Sequence, residues 1–478
     1  MELRRIGNSG LAGSVTLMNM NLAFVALLGL TVLRLVMAAL LPLTPDETYY
    51  FTWAQHLQAG YFDHPPMVAL WIKLGTFLCG NNALGVRVLG PVSALIGSFF
   101  MFDTGNRLLP GKSFGLWAAT FFNATLMLGA GCVLMTPDSP LVFFWTLGLW
   151  ALARLIESGN PRWWLAVGIC AGLMLFSKYT AALFLAGAGL WALTCRPIRR
   201  QLLTPWPWLG LVVAFLLFTP DIIWNATHGW VSYIKQGSRV DGFNLARAIG
   251  FLAALLGGQF MLLTPVIACL AVRGVWRLFG EKTPGAQLLL WLTLLPAAVF
   301  LEHVLTNRVE SNWPAIMYPA ACLAAAAFTS VWRWRALWLG FGISAVVYLQ
   351  ALTGVLPIPA RSDTTALQMA GWKTLAGQAA AMHPAFLTSY SYSVVAELAF
   401  YAPKTIPVVG FFFPRWRYFN WPTVNLKGQG GLLLVRHTSQ GCKDQVGTLT
   451  RWRGHQKVEV YDVCRVSDVD TGWVLPRP

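Results

Sequence analysis

Long apolar segments dominate the first three quarters of this 478-residue chain and limit what it can fold into. A helix needs about 20 predominantly apolar residues to cross the ~30 Å hydrocarbon core of a bilayer. We count eleven such segments, so the sequence predicts an α-helical polytopic membrane protein with about eleven transmembrane helices. The predicted spans are 20–41, 84–106, 114–134, 140–156, 162–177, 180–195, 206–224, 249–271, 286–304, 314–331 and 336–355.

Charge supports this class and predicts its orientation. Only 11% of the residues are charged and the mean hydropathy is +0.56, whereas soluble domains are about 25% charged. Short cytoplasmic loops retain Lys and Arg, which places the N-terminus inside and makes the first span an uncleaved anchor. The net charge of +16 then reflects topology and anionic lipid rather than nucleic acid. The basic inner loops carry Arg107/Lys112, Arg154/Arg162, Arg196/Arg199/Arg200, Arg273/Arg277/Lys282 and Arg333/Arg335.

Two regions are predicted, a membrane region at 1–355 and a C-terminal domain at 356–478. Eleven spans put the C-terminus outside, where "GGLLLVRHT" and "KVEVYDVCRV" indicate strands of a small α/β extracytoplasmic domain. Cys442 and Cys464 are a disulfide candidate in an oxidising compartment, the alternative being two buried thiols. The remaining cysteines are scattered without metal-ligand spacing and are interpreted as packing residues.

The segment "LTPDETYYFTWAQHLQAGYFDHPPM" (43–67) follows the first span on the outer side. Thr44, Pro45 and Glu47 form a helix start with a capping box, so Asp46 and Glu47 could serve only to stabilise that helix. The loop is long, however, and contains two amphipathic pieces, 46–59 and 65–79, expected to lie in the interface. Asp138 begins another helix from a short outer loop, which leads us to expect acids converging over one cavity.

These residue types suit transfer chemistry. A carboxylate in a partly apolar cleft gains proton affinity, and a base must accept a proton from the attacking group. Lys178, in "FSKYT" near the outer end of another span, needs an anionic partner. A lipid phosphate would serve, although a lysine can also extend to the interface without any ligand.

Five motifs, in this order, carry a resemblance to a known family: "PDETYY…YFDHPP", "TPDSPL", "FSKYTA", "IWNATHGWVSY" and "ESNWPAIMYP". Over about residues 10–355 the chain resembles family 39 glycosyltransferases of the GT-C fold. It looks like protein O-mannosyltransferases, lipid A aminoarabinose transferase and rhizobial galacturonosyltransferases. The resemblance implies an inverting transferase that moves one sugar from a polyprenyl-monophosphate donor to lipid A, lipopolysaccharide or another envelope glycolipid. It also implies a multi-pass protein of the bacterial inner membrane with a periplasmic active site.

The resemblance assigns roles by position. It makes Asp46 the catalytic carboxylate, with Glu47 and Asp138 as further catalytic acids. His64 stands where the aminoarabinose enzyme has a lysine, so a phosphate contact, an acid/base role and a structural role all stay open, and His228 could simply hydrogen-bond within its loop. The predicted phosphate-binding residues are Lys178, His64 and Arg239, and the predicted substrate pocket comprises Asp63, Tyr50, His228, Trp230, Glu310, Asn312 and Trp313.

Partners and alternatives follow from the same residues. The expected partners are the polyprenyl-phosphate sugar donor, a glycolipid or other envelope acceptor and membrane lipid, with no nucleic acid and a monomeric chain. No cofactor is expected to be required. A divalent metal is compatible with several acids, but the sequence has no metal-ligand spacing and the family resemblance does not favour one. The alternative functions are a lipid-linked sugar flippase or transporter, which would normally show repeat symmetry, and a protein O-glycosyltransferase.

Overall fold

The computed structural model describes residues 3–109, 114–238, 242–327, 331–410, 414–419, 421–437, 442–467, 469 and 471–478. Within these ranges the membrane region consists of helices joined by loops. Its helices are α1 Leu3–Leu40, α2 Pro45–Gln55, α3 Met67–Cys79, α4 Ala83–Arg87, α5 Leu89–Leu108, α6 Phe114–Ala124, α7 Leu126–Gly129, α8 Asp138–Ser158, α9 Trp163–Leu175, α10 Ala182–Thr194, α11 Arg196–Arg199, α12 Trp206–Thr227, α13 Val231–Gly237, α14 Leu245–Leu262, α15 Pro265–Leu278, α16 Pro284–His303, α17 Tyr318–Ala327 and α18 Arg333–Thr353.

The number of full-length spans is smaller than predicted. Among the described residues, seven helices are long and apolar enough to cross a membrane, or nine if each of two bent helix pairs counts as one span. The predicted spans 162–177 and 314–331 correspond to shorter helices. The predicted span 249–271 is divided between α14 and α15 because Pro265, which lacks an amide hydrogen, begins a new helix there. The prediction of a multi-span helical membrane protein is confirmed; seven to nine of its helices, among the described residues, are long and apolar enough to span, and the other two predicted spans correspond to shorter helices.

A buried arginine explains how the bent pair α6–α7 is tolerated. The two helices meet at an angle of 72°, and such a break leaves backbone carbonyls without helical partners. Arg34 of α1 is fully buried beside it; its Nη1 donates to Asn123 Oδ1 at 2.8 Å and its Nη2 to the Leu128 carbonyl at 2.8 Å. The cation therefore satisfies polar groups that the lipid could not.

The segments 46–59 and 65–79 were predicted to form amphipathic helices in the membrane interface. Only the second segment, which contains α3, is amphipathic. In α3, Val68 and Ile72 are buried while Leu74 and Phe77 are exposed. Helix α2 is buried on nearly all sides, because the C-terminal region covers it. The amphipathic interpretation of 46–59 was therefore wrong for α2.

The C-terminal region is mixed α/β, as predicted. Its helices are α19 Thr364–Met369, α20 Trp372–Ala380 and α21 Tyr392–Tyr401, and its strands are β1 Leu387–Thr388, β2 Val409–Gly410, β3 Thr423–Asn425, β4 Gly431–Arg436, β5 Gln445–Arg453, β6 Gln456–Val466 and β7 Thr471–Val474. One sheet has the order β1-β4-β6-β5, with β1 parallel to β4 and the other pairs antiparallel; the second is an antiparallel β2-β7-β3 sheet. Cys442 and Cys464 form a disulfide with their Cα atoms 6.2 Å apart.

The core of this region is continuous with the outer part of the membrane region. Tyr49 and Trp53 of α2 are buried in the same apolar cluster as Val395 of α21 and Val463 of β6. Burial of apolar surface contributes roughly 25 cal/mol of stability per Å². The shared core therefore stabilises the packing of α21 on α2. The C-terminal region is therefore placed directly over the segment that carries Asp46.

Candidate active site

A cavity of about 620 Å³ lies between loops of the membrane region and the C-terminal region. It contains the N-terminus of α8, whose basic residue Arg154 lies sixteen positions further on, ~24 Å along the helix. The cavity is thus at the opposite end of α8 from Arg154. It is lined by Asp46, Tyr49, Tyr50, Asp63, His64, Thr136, Pro137, Asp138, Lys178, Lys235, Asn307, Arg308, Glu310, Asn312, Trp313, Tyr392 and Arg415.

Asp46 presents its carboxylate to this cavity. Thr44 caps α2 and Pro45 occupies its first turn, so Asp46 lies at the positive end of the helix. Its side chain is accessible from the cavity but surrounded by protein atoms. The resulting loss of hydration raises the pKa of the carboxyl group. The Tyr392 hydroxyl donates to Asp46 Oδ1 at 3.0 Å and, with the charge of Arg415, partly opposes that rise in pKa. The result is a carboxylate with increased basicity, as a proton acceptor requires.

Glu47, the next residue, points away from the cavity. Its side chain is fully buried, and it forms a two-pronged ion pair with Arg87, in which Nε–Oε1 and Nη2–Oε2 are both 2.6 Å. Oε2 also accepts from the Thr44 amide at 2.9 Å and Oε1 from the Met135 amide at 3.0 Å. The sequence interpretation placed Glu47 among the catalytic acids; the structure gives it a positioning role, because it joins α2 to α4 and to the segment before Asp138.

Asp138 and Lys178 form a buried pair on another wall of the cavity. Lys178 Nζ is 2.8 Å from Asp138 Oδ1, and Asn312 Nδ2 donates to Asp138 Oδ2 at 2.6 Å. The same ammonium lies 5.8 Å from the centre of the Trp313 ring. Both oxygens of Asp138 are therefore engaged, so this carboxylate is better placed to fix Lys178 than to accept a proton from a substrate.

Asp63 is the centre of a third group. The Tyr49 hydroxyl donates to its Oδ2 at 2.8 Å, Arg415 Nη2 is 3.4 Å from Oδ1, and Lys235 of α13 pairs with the same oxygen. A loop, a membrane-region helix and the C-terminal region thus meet at one carboxylate. Two cations, Lys235 and Arg415, thus meet at a single acid on this side of the cavity.

The remaining predicted residues divide between the cavity and the surrounding structure. Tyr50 and His64 line the cavity, as does Glu310, which is half exposed and 3.5 Å from Arg308. His228 and Trp230 do not line it, so their placement in the substrate pocket is a correction to the sequence interpretation. Arg239, predicted to bind phosphate, lies outside the described residues.

His228 and Trp230 instead shape the turn between α12 and α13. The His228 ring stacks on Trp224 with centroids 4.1 Å apart, and its Nδ1 is 2.7 Å from the Trp224 carbonyl oxygen. Trp230 has a φ of 58°, a left-handed conformation that a bulky residue rarely adopts, and its ring stacks on Tyr233. The turn directs α13 toward the cavity, where Lys235 reaches Asp63.

Sequence reasoning missed several cavity residues. Lys235 lies in "VSYIKQG", directly after a motif that was recognised, and Arg308 lies just before "ESNWP". Tyr392 and Arg415 come from the C-terminal region, where "SYSYS" and "PRWRY" combine aromatic and basic residues as cavity walls commonly do. Nothing in the local pattern indicated that these two segments would line the same cavity as Asp46.

The fold and this cavity define a polytopic membrane protein of the GT-C fold. The crystal structure of ArnT from Cupriavidus metallidurans in the apo state superimposes with a TM-score of 0.62 at 16% identity, covering 93% of this chain and 98% of that one. The same protein bound to undecaprenyl phosphate gives a TM-score of 0.62 at 13% identity, covering 92% and 97% of the two chains. The predicted fold class is therefore confirmed.

Sequence comparisons confirm the predicted resemblance. Residues 63–224 match the family described as dolichyl-phosphate-mannose-protein mannosyltransferase. The chain is 28% identical over 287 residues to the lipid A galacturonosyltransferase RgtD of Rhizobium johnstonii, which covers 59% of each protein. It is 24% identical over 284 residues to undecaprenyl phosphate-alpha-4-amino-4-deoxy-L-arabinose arabinosyl transferase 1 of Pseudomonas fluorescens, covering 54% of this chain and 50% of the relative. The matched region thus spans between half and three fifths of the length of these curated relatives.

Proposed function

We propose that this protein is an inverting glycosyltransferase that moves a single sugar from a polyprenyl-monophosphate donor to an envelope glycolipid on the periplasmic face of the bacterial inner membrane. The observation that carries the proposal is one cavity that contains both a basic carboxylate, Asp46, and a fixed cation, Lys178. Displacement at an anomeric carbon needs these two groups. One takes the proton of the nucleophile, and the other stabilises the leaving phosphate.

The reaction is a single displacement. The acceptor hydroxyl oxygen attacks the anomeric carbon while its proton passes to Asp46. The bond between that carbon and the phosphate oxygen breaks, and the electron pair leaves with the polyprenyl phosphate. Lys178, held by Asp138 and Asn312, neutralises the charge that develops on the phosphate. Because attack and departure take place on opposite faces of the sugar, the anomeric configuration inverts.

The comparisons support this donor and acceptor class. The similar proteins are named as transferases of galacturonic acid to lipid A and of aminoarabinose from undecaprenyl phosphate, and a second rhizobial relative is named for the lipopolysaccharide core. Galacturonic acid is the first donor sugar to test because two of these relatives are named for its transfer. A protein acceptor is the second candidate, favoured by the family description that residues 63–224 match.

Reconstituted protein provides the test. Purified chain in nanodiscs is given undecaprenyl monophosphate linked to radiolabelled galacturonic acid, aminoarabinose or mannose, with lipid A, lipopolysaccharide core or a Ser/Thr-rich peptide as acceptor, and products are identified by mass. We expect transfer to lipid A or core that Asp46→Asn reduces by about 10³-fold or more, within the 10²–10⁴-fold range of general-base catalysis. Asp444→Asn is the matched control, since Asp444 is an exposed acid of the C-terminal region.

Two outcomes would contradict the proposal. Wild-type protein that moves the lipid-linked sugar across vesicles and never transfers it to any acceptor is a flippase. Equal turnover by wild type and Asp46→Asn removes the proposed base. Product on the peptide alone would change the acceptor class and leave the chemistry as stated.

A further inference from the structure

We propose that Tyr392 and Arg415 of the C-terminal region are positioning residues that hold Asp46 in the orientation needed for proton transfer. The inference rests on the proposed function, since it concerns the control of the same base. The C-terminal region thereby takes part in the reaction. The five motifs that carry the family resemblance all lie in the membrane region and include neither Tyr392 nor Arg415.

The first observation is the direct contact with the base. Tyr392 begins α21, and its hydroxyl donates to Asp46 Oδ1 at 3.0 Å across a sequence separation of 346 residues. A hydrogen bond donated to a carboxylate favours the charged form.

The second observation is the fixing of Tyr392 by Arg415. The guanidinium carbon of Arg415 lies 3.9 Å from the centre of the Tyr392 ring and 5.4 Å from that of Tyr49. Its Nη2 is 3.4 Å from Asp63 Oδ1, so an aromatic ring and a carboxylate hold it from two directions. A planar guanidinium can stack and pair in this manner, whereas an ammonium cannot stack in the same way.

The third observation is the packing of α21 against α2. Helix α21 packs on α2 through the shared core, in which Val394 and Val395 are fully buried with Tyr49 and Phe51. The hydroxyl of Tyr392 is therefore held at a fixed position relative to the first turn of α2. Such fixed geometry is what a hydrogen bond to a catalytic base requires.

The electrostatic surroundings of Asp46 agree with this role. Burial raises the pKa of Asp46 and the neighbouring charge of Glu47 also raises it, whereas the Tyr392 hydrogen bond, Arg415 and Lys235 lower it. Burial also raises the pKa of Tyr392 to about 12, so its hydroxyl stays protonated and can donate throughout the working range. Tyr49 and Tyr50 also lie near this carboxylate, and burial raises the pKa of each. The other titratable side chains that line the same cavity are Asp63, His64, Asp138, Lys178, Arg308 and Glu310.

The test is the pH dependence of kcat/KM. Transfer requires ionised Asp46, so activity falls as pH decreases through the pKa of this group. Removing the hydrogen bond in Tyr392→Phe is expected to move that acidic limb upward by about one pH unit, a tenfold loss of turnover on the limb. Arg415→Gln is expected to move it in the same direction, and Arg415→Lys to restore part of the shift. Tyr390→Phe is the control, because Tyr390 is 49% exposed and does not line the cavity.

A measurement without substrate separates this inference from the proposed function. Infrared difference spectra across a pH titration report the protonated carboxyl band, and Asp46→Asn identifies the part that belongs to Asp46. Its midpoint is expected to rise in Tyr392→Phe and to stay unchanged in Tyr390→Phe. If both the band and the acidic limb of Tyr392→Phe match those of the wild type, the inference is wrong even where turnover is reduced. A wild type that transfers no sugar would contradict the proposed function, while the band still decides this inference.

Discussion

Replacing Glu47 by Gln changes one oxygen atom to an NH₂ group at the junction of three segments. The carboxylate is fully buried and accepts hydrogen bonds from both prongs of Arg87, from the amide and hydroxyl of Thr44 and from the Met135 amide. The nitrogen atoms of Arg87 are otherwise directed at the carbonyl oxygens of Ala38, Leu41 and Pro42 at the end of α1. The guanidinium therefore has no free direction in which to find a new partner.

The expected cost follows from this geometry. An amide has one accepting oxygen, so in either orientation its NH₂ group faces N–H donors and the charge of Arg87 stays buried without compensation. Breaking a buried pair by removing one partner costs about 3–5 kcal/mol. Glu157→Gln makes the same chemical change at a half-exposed position beside Arg107, where an ion pair contributes about 0–1 kcal/mol.

Thermal unfolding of purified protein in detergent, followed by tryptophan fluorescence, measures the difference. We expect Glu47→Gln to lower Tm by several degrees and Glu157→Gln to leave it nearly unchanged. Removing both charges in Glu47→Gln/Arg87→Met should recover part of the loss, because no uncompensated charge then remains. Equal Tm values for the two single variants would refute the positioning role assigned to Glu47.

Three further predictions concern phosphate binding, pH and metal. Lys178→Gln should weaken binding of undecaprenyl phosphate, measured by calorimetry, by about 30-fold or more, because losing one partner of a buried charge pair costs at least about 2 kcal/mol. Lys427→Gln, on the exposed surface, should leave this binding unchanged. Burial acts to raise the pKa of Asp363, but the hydrogen bonds from Arg453 and Gln350 lower it to about 2. Its stabilising contribution should therefore be complete above the ordinary aspartate value of about 3.9 and be lost as pH falls toward 2, so that Asp363→Asn lowers Tm at pH 7 more than at pH 3. Treatment with EDTA should leave transfer unchanged, and restoration of lost activity by a divalent cation would contradict the cofactor expectation.

The sequence predicted the local features that depend on neighbouring residues. Apolar length identifies the membrane region, and the Thr44–Glu47 pattern predicts the start of α2, which the structure confirms with both capping-box hydrogen bonds. It also predicts that Lys178 needs an anionic partner. The identity of that partner could not be derived, because Asp138 is 40 residues away and only the packing of α8 against the segment after α9 brings the two together.

Roles that depend on direction were not predictable from spacing alone. Asp46 and Glu47 are adjacent, but successive side chains on a helix point about 100° apart, so one carboxylate faces the cavity and the other faces Arg87. Which of the two lines the cavity depends on where the C-terminal region covers α2. Tyr392 and Arg415 were missed for the same reason, since they line the same cavity as Asp46 only through packing between distant parts of the chain.

In the proposed reaction, the ion pair between Lys178 and Asp138 affects how strongly the donor binds. The ammonium is compensated by Asp138 before any phosphate arrives, so binding adds a second anion to a pair already in balance, and its free energy is a difference between two large electrostatic terms. Asn312, held at 2.6 Å from the other oxygen of Asp138, limits how far that carboxylate can turn away. Under the proposed mechanism we expect such a site to bind the phosphate moderately while it is part of the donor and more strongly once the departing oxygen gains charge. Stabilisation that increases toward the transition state accelerates the reaction, and a modest affinity allows the spent lipid to leave.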